Sequence, residues 1–322
     1  MKRSLAVLAA LLGAISAPPA KAAYPERTIT VVVPFAAGGA TDVIARLYAD
    51  HMGRTLGQQI VVENVTGAGG TIGASRVARA TPDGYTLLMG NLGTHAASVG
   101  LYTNLSYDPR ADFEPIMNAA ATPMVVAAKK DLPVKDFREF VAYVKANGST
   151  LNYGTGGVGA TSHLACLFLD TLLETKVRHV PFRGSGPALN ALMGGQIDYV
   201  CDQTVGIVPQ IQSKDVKGLV VAVQDRIPVL PDVPTSAEQG LPAFQATGWN
   251  ALFAPKGTPK EIVDRLNAAL RQALSSPEVL KRLAFEGADP RPSSPEEYAA
   301  DIDQEETKWS RVLREAGVKP TE

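Results

Sequence analysis

The chain has 322 residues, 31 Lys+Arg against 32 Asp+Glu, a formal charge of −1 and 45% hydrophobic residues. That length accommodates two domains of ordinary size with a sizeable core. A near-neutral balance without blocks of like charge excludes the footprint of a nucleic-acid binder and a charged tail.

The first residues read as an export signal. Lys2 and Arg3 are positive, Leu5 to Ile15 is apolar but too short to span a bilayer, and Ala20-Lys21-Ala22 is a small-residue cleavage site. Residues 1–22 are expected to be removed, leaving a mature, exported chain that starts at or near Ala23. A short membrane anchor is the alternative, but no stop-transfer pattern follows. Without Lys2, Arg3 and Lys21 the balance is 28 to 32, a net −4.

Ile29 to Val33 is a β-branched run closed by Pro34, which predicts a buried strand. Thr41 or Asp42 then caps a helix whose apolar face is Ile44, Leu47, Tyr48 and Met52. Between them Ala36 to Ala40 carry no bulky side chain, so a ligand can approach the backbone with a helix N-terminus behind it. An anion suits such a site, and a carboxylate is the commonest small one. A plain strand-to-helix turn has the same composition.

Alternation continues along the chain. Strands are expected at residues 59–64 and 86–89, the glycine-rich loop 67–73 leads into a helix over 74–80, and Gly90 to His95 forms another loop. Met124 to Ala128 reads as a strand within a crossing segment, and Asp136 caps a helix over 137–146. A second βα series follows: Asn152-Tyr153, the loop Gly154 to Ser162, a helix to Leu172, a strand over 176–182, a helix over 188–193, and strands over 197–201 and 218–222. After a Pro-rich stretch, Trp249 to Ala254 returns to strand, and helices cover 259–274, 277–286 and 295–316. Repeated βα units imply an α/β chain with a mainly parallel sheet covered by helices. The last helices either add a third layer or pack back on the first domain. In the second case the chain crosses twice, near Thr122-Pro123 and near Ala246-Thr247-Gly248, making a hinge and a cleft.

Gly154-x-Gly156-x-x-Gly159 fits the dinucleotide fingerprint, but the next strand ends at Phe182-Arg183, where an acidic residue should meet the ribose. The same glycines serve as backbone donors for another anion. Ser162-His163 lacks the G-x-S-x-G elbow, and neighbours on a helix start diverge, so Ser162 is expected to cap or donate and His163 to be structural. The four histidines show no metal spacing, and no cofactor or metal is expected. Arg183 is the cation in a predicted ligand loop, either a partner for a second carboxylate or a surface residue. Cys166 and Cys201 are either one disulfide, which export allows, or two separate buried thiols. Anion-binding loops without a nucleophile or base argue for binding rather than turnover.

Tyr24-Pro25-x-Arg27-x-Ile29, Val33-Pro34-Phe35-Ala36-Ala37-Gly38-Gly39-x-Thr41-Asp42, Val62-Glu63-Asn64 and Gly67-Ala68-Gly69-Gly70 resemble the extracytoplasmic receptors of tripartite tricarboxylate transporters, the Bug receptors. So do Ser162-His163-Leu164, Val180-Pro181-Phe182-Arg183-Gly184, Pro187-Ala188-Leu189, Leu230-Pro231-Asp232-Val233-Pro234-Thr235 and Ala254-Pro255-x-Gly257-Thr258-Pro259. The resemblance implies a two-lobed, type II periplasmic-binding-protein fold that closes like a flytrap, with the C-terminal helices packed on lobe one. It places lobe one at 23–122 with 248–322 and lobe two at 123–247. It implies a periplasmic monomer that delivers a small carboxylate, such as a dicarboxylate, to membrane permease subunits. A sensor for a signalling partner and an exported hydrolase are the competing readings. The ligand contacts it implies are Phe35, Ala36, Ala37, Gly38, Gly39, Ala40 and Thr41, with Asn91 and Thr94, from lobe one. From lobe two they are Thr155, Gly156, Gly159, Ala160, Thr161, Ser162, Arg183, Gly184 and Asp202. Where the family often has Tyr-Lys-Gly this chain has Phe182-Arg183-Gly184, and arginine keeps the charge while adding a bidentate fork.

Overall fold

A computed structural model describes residues 24–315, 317, 318 and 320. The export signal over 1–22 and a start at Ala23 lie outside these residues.

In chain order the first elements are β1 (Ile29–Val33), α1 (Ala40–Leu56), β2 (Ile60–Asn64), α2 (Thr71–Ala78), β3 (Thr86–Asn91) and α3 (Ser98–Leu101). Then come β4 (Phe113–Lys129), α4 (Phe137–Asn147), β5 (Asn152–Thr155), α5 (Thr161–Leu173), β6 (Arg178–Pro181), α6 (Ser185–Met193), β7 (Tyr199–Gln203), α7 (Val208–Gln212) and β8 (Val216–Val221). The chain closes with β9 (Thr247–Pro255), α8 (Lys260–Leu274), α9 (Pro277–Phe285), β10 (Asp289–Pro290) and α10 (Pro295–Glu315).

β1 is buried along nearly its whole length because it lies between two parallel partners, β2 and β3, and under helices on both faces. β3 pairs antiparallel with β9, and β9 with the first part of β4, completing the first sheet. The second sheet is carried by the far end of β4. There Met124 to Ala128 pair with β7, Val125 to Lys129 with β8, and β7 continues in parallel to β5 and β6. Only Met124 to Ala128 read as strand in the sequence, whereas the strand is continuous from Phe113. Pro115 and Pro123 masked it. Register shifts lie at Pro115/Met117 and Asn118/Ala120, the kind of irregularity that tolerates proline. Pro123 stands where the strand changes partners: its carbonyl accepts Thr204 N–H, and Met124 N–H turns to Ala246 O.

The C-terminal helices pack on the first lobe. Val263, Leu266 and Leu270 of α8 share one core with Ile44, Tyr48 and Met52 of α1. Tyr298, Trp309 and Leu313 of α10 share another with Trp249, Phe253 and Leu88. The amphipathic spacing of α8 determines which face it buries, and about 1.5–3 kcal/mol per fully buried Leu or Val side chain drives the packing. The second lobe has its own core around Phe137, Phe140, Tyr199 and Leu169. Within it a disulfide joins Cys166 of α5 to Cys201 of β7, with their Cα atoms 5.2 Å apart.

Candidate functional site

The lobes meet closely over a small cavity of about 20 Å³, room for about one water molecule. Phe35, Gly39, Ala40, Thr41 and Asn91 line it from the first lobe. Gly156, Ala160, Thr161, Ser162, Ser185 and Gln203 line it from the second. No lining residue carries a formal charge.

Three helices begin at this cavity, each directly after a strand and a short loop that ends in a small residue: Gly39 before α1, Ala160 before α5 and Gly184 before α6. At α1, the N–H groups of Asp42 and Val43 bond Gly39 O, while those of Ala40 and Thr41 find no backbone or side-chain acceptor among the described residues. At α5 the Thr161 and Ser162 amides are likewise free, and at α6 those of Ser185 and Gly186. Each helix start also carries about half a positive charge from its macrodipole. The cavity is therefore electropositive without a cation. Thr161 is 5% exposed and its Oγ1 has no partner, a buried hydroxyl whose cost of about 1–3 kcal/mol a ligand can relieve. Ser162 Oγ accepts Gly156 N–H at 2.9 Å, leaving its own proton free to donate.

A hydrogen-bonded chain ties the lobes together behind the cavity. Asn91 Nδ2 donates to Thr41 Oγ1 (3.2 Å), which donates to Asn250 Oδ1 (2.7 Å). Asn250 Nδ2 and Thr122 Oγ1 both donate to Gln203 Oε1, so the Gln203 amide nitrogen remains a donor. Ser185, Gln203, Asn250 and Thr122 were not expected from the sequence. Asn250 had one signal: it is a polar residue within the otherwise apolar run Trp249 to Ala254.

Other expected residues serve the loops rather than the cavity. Ala36 N–H donates across the cleft to Arg183 O at 2.8 Å. Gly184, at φ +154, comes so close that a Cβ would sit 2.7 Å from Ala36 N. Ala37 and Gly38 face Gly186 in the same way. Gly38 N–H donates to Asp42 Oδ2, whose carboxylate is also held by Arg46 and Asn64. Burial pushes Asp42 up, but the bonds from Arg46, Asn64 and Gly38 outweigh it and hold the carboxyl below its usual range. Thr94 exchanges bonds with Asn91 and props its loop. Thr155 accepts Gly157 N–H and touches His179, and Gly159 faces Gly93. Asp202 is buried behind Ser185.

Arg183 is a correction. Its side chain is exposed and absent from the cavity lining, and its contribution across the cleft is the backbone carbonyl. Ser162 and His163 diverge, as the sequence reading expects: Ser162 Oγ meets Gly156 N–H, and His163 turns to other partners. His163 Nδ1 accepts Gly159 N–H, its ring stacks on His179, and burial pushes it down to about 4. His95, missed as a core residue, stacks on Phe253 at 3.8 Å, and burial pushes it down to about 3.

A family model described as "Tripartite tricarboxylate transporter family receptor" matches residues 44–318. The chain belongs to this family. BugT of Bordetella pertussis is 33% identical to this receptor over 322 residues, covering 99% of each chain. Among solved structures, the periplasmic binding protein BugD superposes with a TM-score of 0.90 at 41% identity, covering 92% of this chain and all of that one. MatC from Rhodopseudomonas palustris with bound malate gives 0.87 at 48% identity, covering 90% and 100%. A second R. palustris protein, with adipate, gives 0.89 at 34%, covering 92% and 100%. The receptor family is one of periplasmic solute-binding proteins, and the two-lobed fold is that of its solved members. Among the described residues no helix is long and apolar enough to cross a membrane.

Proposed function

We propose that this receptor captures a dicarboxylate between its lobes in the periplasm and delivers it, as a monomer, to the permease subunits of a tripartite tricarboxylate transporter. The observation that carries the reading is the convergence of three helix N-termini, with free amides and the unpartnered Thr161 hydroxyl, on a cavity without charged side chains. Such a site balances anionic charge by dipoles and hydrogen bonds. Similarity to MatC with malate and to the adipate-bound protein supports a dicarboxylate as the class. The candidate contacts are Phe35, Gly39 to Thr41 and Asn91 on one side and Gly156, Ala160 to Ser162, Ser185 and Gln203 on the other. The lobes divide at Thr122–Pro123 and Thr247–Gly248. Closure follows from the ligand's preference for the closed arrangement, because only there do both sets of donors reach it. Nothing in the site supplies a nucleophile–base pair, so the bound molecule leaves unchanged.

A thermal-shift screen over mono-, di- and tricarboxylates tests this. At least one dicarboxylate should raise the melting temperature, by the equivalent of about 2.7 kcal/mol at a hundredfold excess over Kd, and be recovered intact. No stabilisation by any dicarboxylate, or consumption of the ligand, refutes the reading. Binding of the loaded receptor to purified permease separates delivery from sensing.

A further inference from the structure

The side chains that line the cavity are mostly donors or already committed. Ser162 has a free proton. Gln203 Oε1 is occupied by Thr122 and Asn250. Thr41 Oγ1 gives its proton to Asn250 and accepts from Asn91. Ser185 differs. Its Oγ donates to Asp202 Oδ1 at 2.9 Å, and the same carboxylate oxygen accepts Gln203 N–H at 2.8 Å. Asp202 is 6% exposed and makes no ion pair among the described residues. Burial pushes it up to about 6, with the Ser185 and Gln203 bonds opposing, and because its Oδ1 already accepts Gln203 N–H it meets Ser185 as an acceptor in either protonation state. The Ser185 proton is therefore held by Asp202, and what Ser185 turns to the cavity is lone pairs.

We propose that Ser185, polarised by Asp202, is a directional acceptor that selects a hydroxylated dicarboxylate, whose hydroxyl donates to Ser185 Oγ. This deepens the carboxylate reading above and rests on it. A second carboxylate or a keto oxygen would meet lone pair with lone pair at this point, while the ligand's carboxylates find the helix amides. A hydroxyl matches: it donates once, to the one committed acceptor, and accepts from a neighbouring donor. An ammonium fits worse, because three donors would need three acceptors and the lining side chains offer few. A donor to an oxygen backed by a charge is worth more than a neutral hydrogen bond. The unsubstituted analogue would leave Ser185 Oγ buried with its lone pairs unmet.

Calorimetric titration near neutral pH tests this with succinate against malate and glutarate against 2-hydroxyglutarate, adding aspartate and oxaloacetate. In the wild type at least one hydroxylated member should bind about 10- to 100-fold tighter than its parent. In Ser185→Ala that ratio should approach one. In Asp202→Asn the amide oxygen takes the place of Oδ1 and still accepts from both Gln203 N–H and Ser185 Oγ, but without a carboxylate behind it, so the ratio should fall only part of the way toward one. Melting temperatures establish that each variant is folded, and either alone suffices to read the ratio. A wild-type ratio near one, a ratio kept in the folded variants, or aspartate binding tighter than malate overturns the proposal. If no dicarboxylate binds the wild type, the carboxylate reading itself has failed, and the absence of any titration heat or melting shift marks that case.

Discussion

Replacing Gly93 by alanine should weaken ligand binding without weakening the fold. Gly93 opens the π-helical turn Gly93–Ala97 after β3 and is not among the positive-φ residues. In that helical backbone alanine is intrinsically favoured over glycine by about 0.5–1 kcal/mol. Across the cleft, however, its Cβ would sit 2.5 Å from Gly159 O and 3.2 Å from Ala160 Cα. Both are backbone atoms of the opposite lobe, so no side chain can rotate away. Ordinary contact would require the facing backbones to part by about 1 Å. That stretches the Ala36 N–H to Arg183 O bond and pulls the α5 amides away from the ligand. Overpacking of this kind costs about 1–3 kcal/mol, or about 5- to 150-fold in affinity. The assay is calorimetry with the best ligand from the carboxylate screen, beside melting without ligand. Gly93→Ala should keep or raise the melting temperature and lose affinity. Wild-type affinity in a folded variant would refute the claim that closure of these two backbones is part of binding.

Asp42→Ala should destabilise the fold by about 1–3 kcal/mol, because Gly38 N–H, Asn64 and Arg46 lose one shared acceptor; an unchanged denaturation midpoint counts against it. Ala substitution of both Cys166 and Cys201, 35 residues apart, should cost about 2–4 kcal/mol by freeing the unfolded chain, with ligand affinity kept, and chemical denaturation reads both. Burial lowers His95 to about 3, so its neutral form contributes stability that is complete above the unfolded value near 6.5 and is lost as pH falls toward 3. Asp170 and Asp202, raised by burial to about 6, act oppositely and gain stability for the fold as pH falls toward 4. His95→Phe should therefore flatten the acid limb of the stability curve by about 1.4 kcal/mol per pH unit below 6, and parallel limbs for variant and wild type would contradict that.

What was legible depended on whether the signal was local. β1 and α1 are written as a β-branched run and an apolar stripe, and both formed. However, α1 is capped by Gly39 rather than by Thr41 or Asp42, because the glycine backbone turns into the helix before either side chain can cap it. The small-residue loops were visible as well, because free amides at a helix start follow from composition. Arg183 stayed open between ligand partner and surface residue, because side-chain direction in a loop depends on which backbone group is used across the cleft. Ser185 and Gln203 carried no mark of their own. One opens a helix read as starting later, at residue 188, and the other ends a strand read as stopping at Cys201.

By itself, the sequence determined the βα alternation, the loops able to present backbone donors and the family, since each follows from short-range spacing. The tertiary structure decided which loops face one another, that β4 serves both sheets, that Cys166 meets Cys201 and that Asp202 backs Ser185. Those contacts join residues far apart in the chain, and sequence spacing carries no information about distance between segments until the two cores bring them together.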